Sequence, residues 1–169
     1  MEFLLVAFAG GLLGSWWMDL VDDWNKRTTG IHSGVTAALI GRWVLGWGRL
    51  RFAHSEITES PAREGEARAG MVFHYLVGGG CVALVYPLFF LATGIPTPSS
   101  HIVPAIVYGF ITSLLPWFIL FPAFGWGVFA RRPLPGTRPV LASTITHLPY
   151  GLGIGVTLDG YAWLTGAGF

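Results

Sequence analysis

Phe3-Leu4-Leu5-Val6-Ala7-Phe8-Ala9-Gly10-Gly11-Leu12-Leu13-Gly14-Ser15-Trp16-Trp17-Met18-Asp19-Leu20-Val21, followed at once by Asp22-Asp23-Trp24-Asn25-Lys26-Arg27, decides the fold class. As a helix, residues 3–21 reach roughly 28 Å, against a bilayer hydrocarbon core of about 30 Å. A signal peptide carries its positive charge before the apolar run and a small-residue cleavage site after it. Here Glu2 precedes the run, while Lys26 and Arg27 follow it. The stretch therefore reads as a retained first span with its N-terminus outside.

Outward from this stretch, the same pattern recurs at residues 70–94, 102–121 and 147–164, giving four expected spans with cytoplasmic loops over 22–69 and 122–146. All ten Lys and Arg residues fall between Lys26 and Arg68 or between Arg131 and Arg138. Basic loops stay in the cytoplasm, so both stretches belong on one side, with Met1, the turn at 93–101 and Phe169 outside. Long runs without alternation exclude a β-barrel. Charged residues make up 11% of the chain and mean hydropathy is +0.59. Soluble domains carry about 25% charge, so lipid is the expected main solvent. The net charge of +1 gives no reason to expect nucleic acid, and Cys81 is the single cysteine, which leaves no intramolecular disulfide. Trp16, Trp17, Trp24, Trp117, Trp126 and Trp163 lie near span ends, as an aromatic belt requires.

Hydropathy alone does not settle residues 31–47, which are apolar but carry Arg42. A fifth span would bury that Arg at roughly 2.5–3.5 kcal/mol and would put the basic stretches on opposite sides. An interfacial or half-inserted helix is expected instead, with Arg42 turned toward Asp19, Asp22 or Asp23. Ser60-Pro61 reads as an N-cap and first-turn proline of a helix running on into the second span. Pro116 should kink the third span, and 121–127 is too broken for regular helix, so it must be covered by protein or face a cavity.

Three helices carry small residues and an ionisable group at four-residue steps: Gly11, Ser15, Asp19; Gly70, His74, Gly78; and His147, Gly151, Gly155, Asp159. Such ridges permit close packing and turn Asp19, His74 and His147 inward at one cytoplasmic depth. Ionisable groups in the membrane are costly and usually functional, although a boundary Asp or His is often only an anchor. Asp19, His74 and His147 could supply ligands to a divalent metal. Haem would need two facing His, and His74 with His147 is the one obvious pair, which disfavours it. There is no G-x-S-x-G, H-E-x-x-H, phosphate loop or C-x-x-C.

From Met18-Asp19-Leu20 through Gly41-Arg42-Trp43, His54, Gly70 to Tyr75, Pro116, Pro122, Gly125 and Gly127, and on to Pro133, Pro135, Arg138, His147, Tyr150, Gly151 and Gly153, the chain resembles a family of bacterial inner-membrane proteins, domain of unknown function 2938. The resemblance implies a small multi-span membrane protein and no particular reaction. It directs attention to Asp19, Arg42, His54, His74, Arg138 and His147 as a polar ligand-binding set. The leading expectation is an all-α bundle of four spans plus the interfacial helix, binding a small ligand, lipid headgroup or metal at the cytoplasmic boundary. An enzyme acting on a lipid-soluble substrate, an oligomeric transporter using Asp19 and Asp159, and an accessory subunit of a larger complex are the competing readings. The lipid bilayer, and either further copies of this chain or a larger membrane complex, are the expected partners.

Overall fold

The computed structural model describes every residue except Ala167 and Phe169, so the expected placement of Phe169 lies outside the described residues. Those residues form five helices and no strand. They are α1 (Glu2–Thr29), α2 (Ala37–Trp47), α3 (Glu66–Thr93), α4 (Ile102–Phe124) and α5 (Pro139–Thr165). The helices α1, α3 and α4 are long and apolar enough to cross a membrane. The chain is a membrane protein on that ground. With 27 residues, α5 is long enough as well. Its Ser, Thr and Gly residues, His147 and Asp159 lower its apolarity, and it is not among the three.

Chain punctuation explains the boundaries. Nothing breaks α1 before Gly30, whose φ of 72° is left-handed, so the helix outruns the expected span by two turns. Thr36 caps α2 by accepting the Leu39 N–H. With 11 residues, α2 reaches only about 16 Å, too short for a fifth span. The helix expected from Ser60-Pro61 starts instead at Glu66, behind left-handed Gly65. Ser60 closes a single 3₁₀ turn at Ile57–Glu59.

Two compact units divide the chain. The first comprises Met1–Val21, Tyr75–Ile111 and Thr146–Phe169. Its core holds Phe3, Tyr86, Tyr150, Ile154 and Leu158. Glycines let the backbones meet: a Cβ on Gly11 would strike the Gly79 carbonyl, and one on Gly14 the Tyr150 carbonyl. Opposite α1, α3 is wound as π-helix over Phe73–Cys81. Loss of the regular i→i−4 pattern frees carbonyls, and tyrosines take them up. Tyr150 donates to the Gly79 carbonyl at 2.7 Å, and Tyr108 donates to that of Val82.

The second unit comprises Asp22–His74 and Thr112–Ile145. In it α2 and the start of α3 meet backbone to backbone. A Cβ on Gly41 would overlap the Glu66 carbonyl, and one on Gly70 that of Ala37. Pro116 opens a second π segment, Pro116–Leu120. After it, α4 ends at left-handed Gly125. The expectation that 121–127 is too broken for regular helix holds only from Gly125 onward, because Phe121–Phe124 continue as α-helix; Phe121, Phe124 and Trp126 are fully buried beside Ile57. Trp126 is thus a core residue, not part of an aromatic belt; Trp16, Trp24 and Trp163 are exposed.

Candidate functional site

Arg42 sits on the buried side of α2, in the second unit. Its Nε and Nη2 donate to the two carboxylate oxygens of Glu66 at 2.9 and 2.8 Å. Nη1 donates to the carbonyls of Ser60 at 2.8 Å and Ile57 at 3.1 Å. The expected partner was Asp19, Asp22 or Asp23. Glu66 takes that place because the 3₁₀ turn folds back over α2, and Asp23 instead pairs with Arg27 one turn along α1. A two-pronged, buried guanidinium–carboxylate pair is specific in geometry. Removing one member would strand the other, at about 3–5 kcal/mol.

His54 lies beside this pair. Its backbone N–H donates to the Ala123 carbonyl at 2.8 Å, and Gly125 presses so close to the Ser55 carbonyl that a Cβ would not fit. The ring is held through Nδ1, 2.9 Å from the Ser60 hydroxyl. Only 7% of the residue is exposed, and Nε2 is buried with no hydrogen-bond partner in the protein. Burial, then the charges of Arg51, Arg63 and Arg42, push the His54 pKa below its ordinary value of 6.5. Nearby, burial alone would raise the Glu56 pKa. The Thr58 N–H and hydroxyl and the Trp126 indole outweigh it, holding the carboxyl below its usual range. The result is a neutral imidazole among three guanidiniums, with one ring nitrogen unspent. Such a group can donate an N–H to an oxyanion or, in the other tautomer, accept a hydrogen bond from a protonated ligand oxygen.

The other expected site residues are placed differently. In the first unit, Asp19 accepts the Tyr75 hydroxyl at 2.6 Å. The His147 ring stands edge-on to Tyr150, with centroids 6.3 Å apart. Gly109 lies against the His147 carbonyl. His74, in the second unit, is half-buried in the π segment. Arg138 is exposed, with its backbone N–H on the His32 carbonyl. Among the described residues no three His, Cys, Asp or Glu side chains are grouped to hold a metal ion. The metal reading of Asp19, His74 and His147 goes no further on that ground. Asp159 accepts the His101 N–H at 2.7 Å and the Ser100 hydroxyl at 2.6 Å, so both oxygens cap the start of α4. Coupling in a transporter gains no support from that arrangement.

Sequence reasoning singled out Arg42 and His54 but missed what joins them. Ser60 serves both, by its carbonyl and its hydroxyl, and Glu66 closes the pair. The one available signal was a Glu exposed on paper at the start of an apolar helix, where burial would demand a cation. Tyr75 and Tyr150 entered only through the family resemblance and were assigned no role, since a Tyr in a span is ordinarily packing.

Comparison with curated proteins and with solved structures gives no match. The family profile for domain of unknown function 2938, described as a protein of unknown function, matches residues 9–159. That range takes in both units and every residue of the Arg42–His54 cluster, and the chain belongs to this family.

Proposed function

We propose that this is a four-span protein of the bacterial inner membrane, with α5 as the fourth span, that binds a small oxyanion or a lipid phosphate headgroup at its cytoplasmic boundary. The observation that carries the reading is His54: more than nine-tenths buried, its Nε2 unpartnered, amid Arg42, Arg51 and Arg63. An unsatisfied buried polar atom costs about 1–3 kcal/mol, and a ligand oxygen on Nε2 would recover that cost. Arg42 positions the Ser60 turn, while Arg51 and Arg63 supply the charge that attracts the anion. Asp19, His74, Arg138 and His147 belong to the proposal as further candidate ligand contacts.

Wild-type protein purified in mild detergent should retain a phosphate-bearing adduct by native mass spectrometry. Added inorganic phosphate should raise its unfolding temperature. His54→Ala and Arg63→Gln should each abolish both effects, whereas Arg132→Gln, on the other basic stretch, should keep them. An adduct that survives His54→Ala would overturn the site.

A further inference from the structure

Past the end of α2 the chain reads Trp47-Gly48-Arg49-Leu50-Arg51-Phe52. Leu50 is 82% exposed and Phe52 58%. Leu50 has φ 57°, a left-handed conformation that Gly or Asn would take without strain and a bulky side chain rarely adopts. The turn is nevertheless firmly built. Arg49 and Arg51 donate their backbone N–H groups to the Gly46 carbonyl at 2.9 and 3.1 Å, and Leu50 donates to that of Trp47 at 2.9 Å. The Trp43 indole donates to the Phe52 carbonyl at 2.7 Å. Among the described residues neither Arg49 nor Arg51 is in an ion pair.

A rigid turn that displays two large apolar side chains, each next to an unpaired arginine, is costly in water and well matched to a lipid leaflet. We infer that residues 48–52 form a membrane anchor, with Leu50 and Phe52 entering the acyl layer and Arg49 and Arg51 holding phosphates of anionic phospholipids. Guanidinium pairs with phosphate in two-pronged fashion, and the net negative charge of an anionic leaflet, which draws basic side chains to the bilayer, selects anionic over zwitterionic lipid. Two protruding side chains are too small a patch for a stable protein interface, which buries about 800 Å² per partner. The anchor goes beyond the proposed ligand site: it shares Arg51 with the surroundings of His54 but rests on Leu50, Phe52 and Arg49, which that site does not use.

The test uses the full chain in nanodiscs, on a Cys81→Ser background, with a spin label at Leu50→Cys. In phosphatidylcholine containing phosphatidylglycerol, the label should collide several-fold more with oxygen than with a water-soluble nickel chelate. That ratio should fall several-fold in pure phosphatidylcholine and decline with Arg49→Gln, a substitution outside the His54 cluster. A control label at exposed Thr58 should stay aqueous throughout. A water-exposed label at residue 50 in both lipids overturns the anchor, and equal depth in both overturns anionic recognition. A label shielded from oxygen and nickel alike would mean that protein covers the turn, which also overturns it. Phosphate stabilisation that survives His54→Ala while the label at residue 50 stays in the acyl layer would overturn the ligand site and leave the anchor standing, whereas its loss in His54→Ala with a water-exposed label would do the reverse.

Discussion

His54 is where the chemistry of a single residue has the widest effect. With its pKa below 6.5, the folded ring binds a proton less readily than the same ring in the unfolded chain. Over the window between the two values the unfolded state holds more protons, so stability falls as pH drops through it and is present in full above about 6.5. The unfolding temperature should therefore decrease from about pH 7 to about pH 5, by roughly 2–4 °C for each 1 kcal/mol lost. His54→Gln should flatten that part of the curve, as thermal scans across pH would show. An unchanged slope would mean that other groups set it. The type of these residues was legible in the sequence, but their partners were not. Arg42 was assigned to acids near in sequence, whereas Glu66 reaches it only once residues 48–65 have folded back. That return path depends on backbone angles, such as those of Leu50 and Gly65, which no periodicity encodes.

Among the elements, the α2–α3 contact depends most on a missing atom. Gly41→Ala would put a methyl where the Glu66 carbonyl stands. Because the obstacle is backbone, relief requires the helices to separate, and with them the Arg42–Glu66 pair. A loss of at least about 1–3 kcal/mol is expected. Gly48→Ala is the matched control, since its Cβ would meet nothing within 4 Å and its φ of −60° suits alanine. It should be neutral or stabilise by roughly 0.4–1 kcal/mol. Chemical unfolding of the two variants in the same detergent compares them. Equal stabilities would show that the contact is looser than described. Most helices were legible because apolar length and Gly or Pro breaks act locally. The helix start at Glu66 was misread because Ser60-Pro61 has the residues of an N-cap, while Ser60 is taken up by Arg42 and His54.

For the whole molecule, the proposed topology rests on where the basic residues stand. A fluorescent reporter that folds only in the cytoplasm should stay dark when fused after Phe169 and glow when fused within the second basic stretch, between Arg132 and Pro133. The reverse pattern would sink the topology, and so would brightness at both points. Membrane character was legible from composition alone. The weaker apolarity of α5 was hidden, because a helix with Tyr150, Ile154 and Leu158 in the core needs less greasy surface than one facing lipid. The glycine contact between α2 and α3 also bears on the order of assembly. Gly41 and Gly70 are close in the chain, so the segments that carry them are made, and can emerge from the ribosome, before Pro139–Thr165 is complete. The Arg42 clasp can therefore close as a hairpin during synthesis. Phe121, Phe124 and Trp126 would then arrive as a lid on a seat already in place, and a nascent chain ended at Thr93 and extended by a linker long enough to clear the exit tunnel should already protect Arg42 from arginine-specific cleavage.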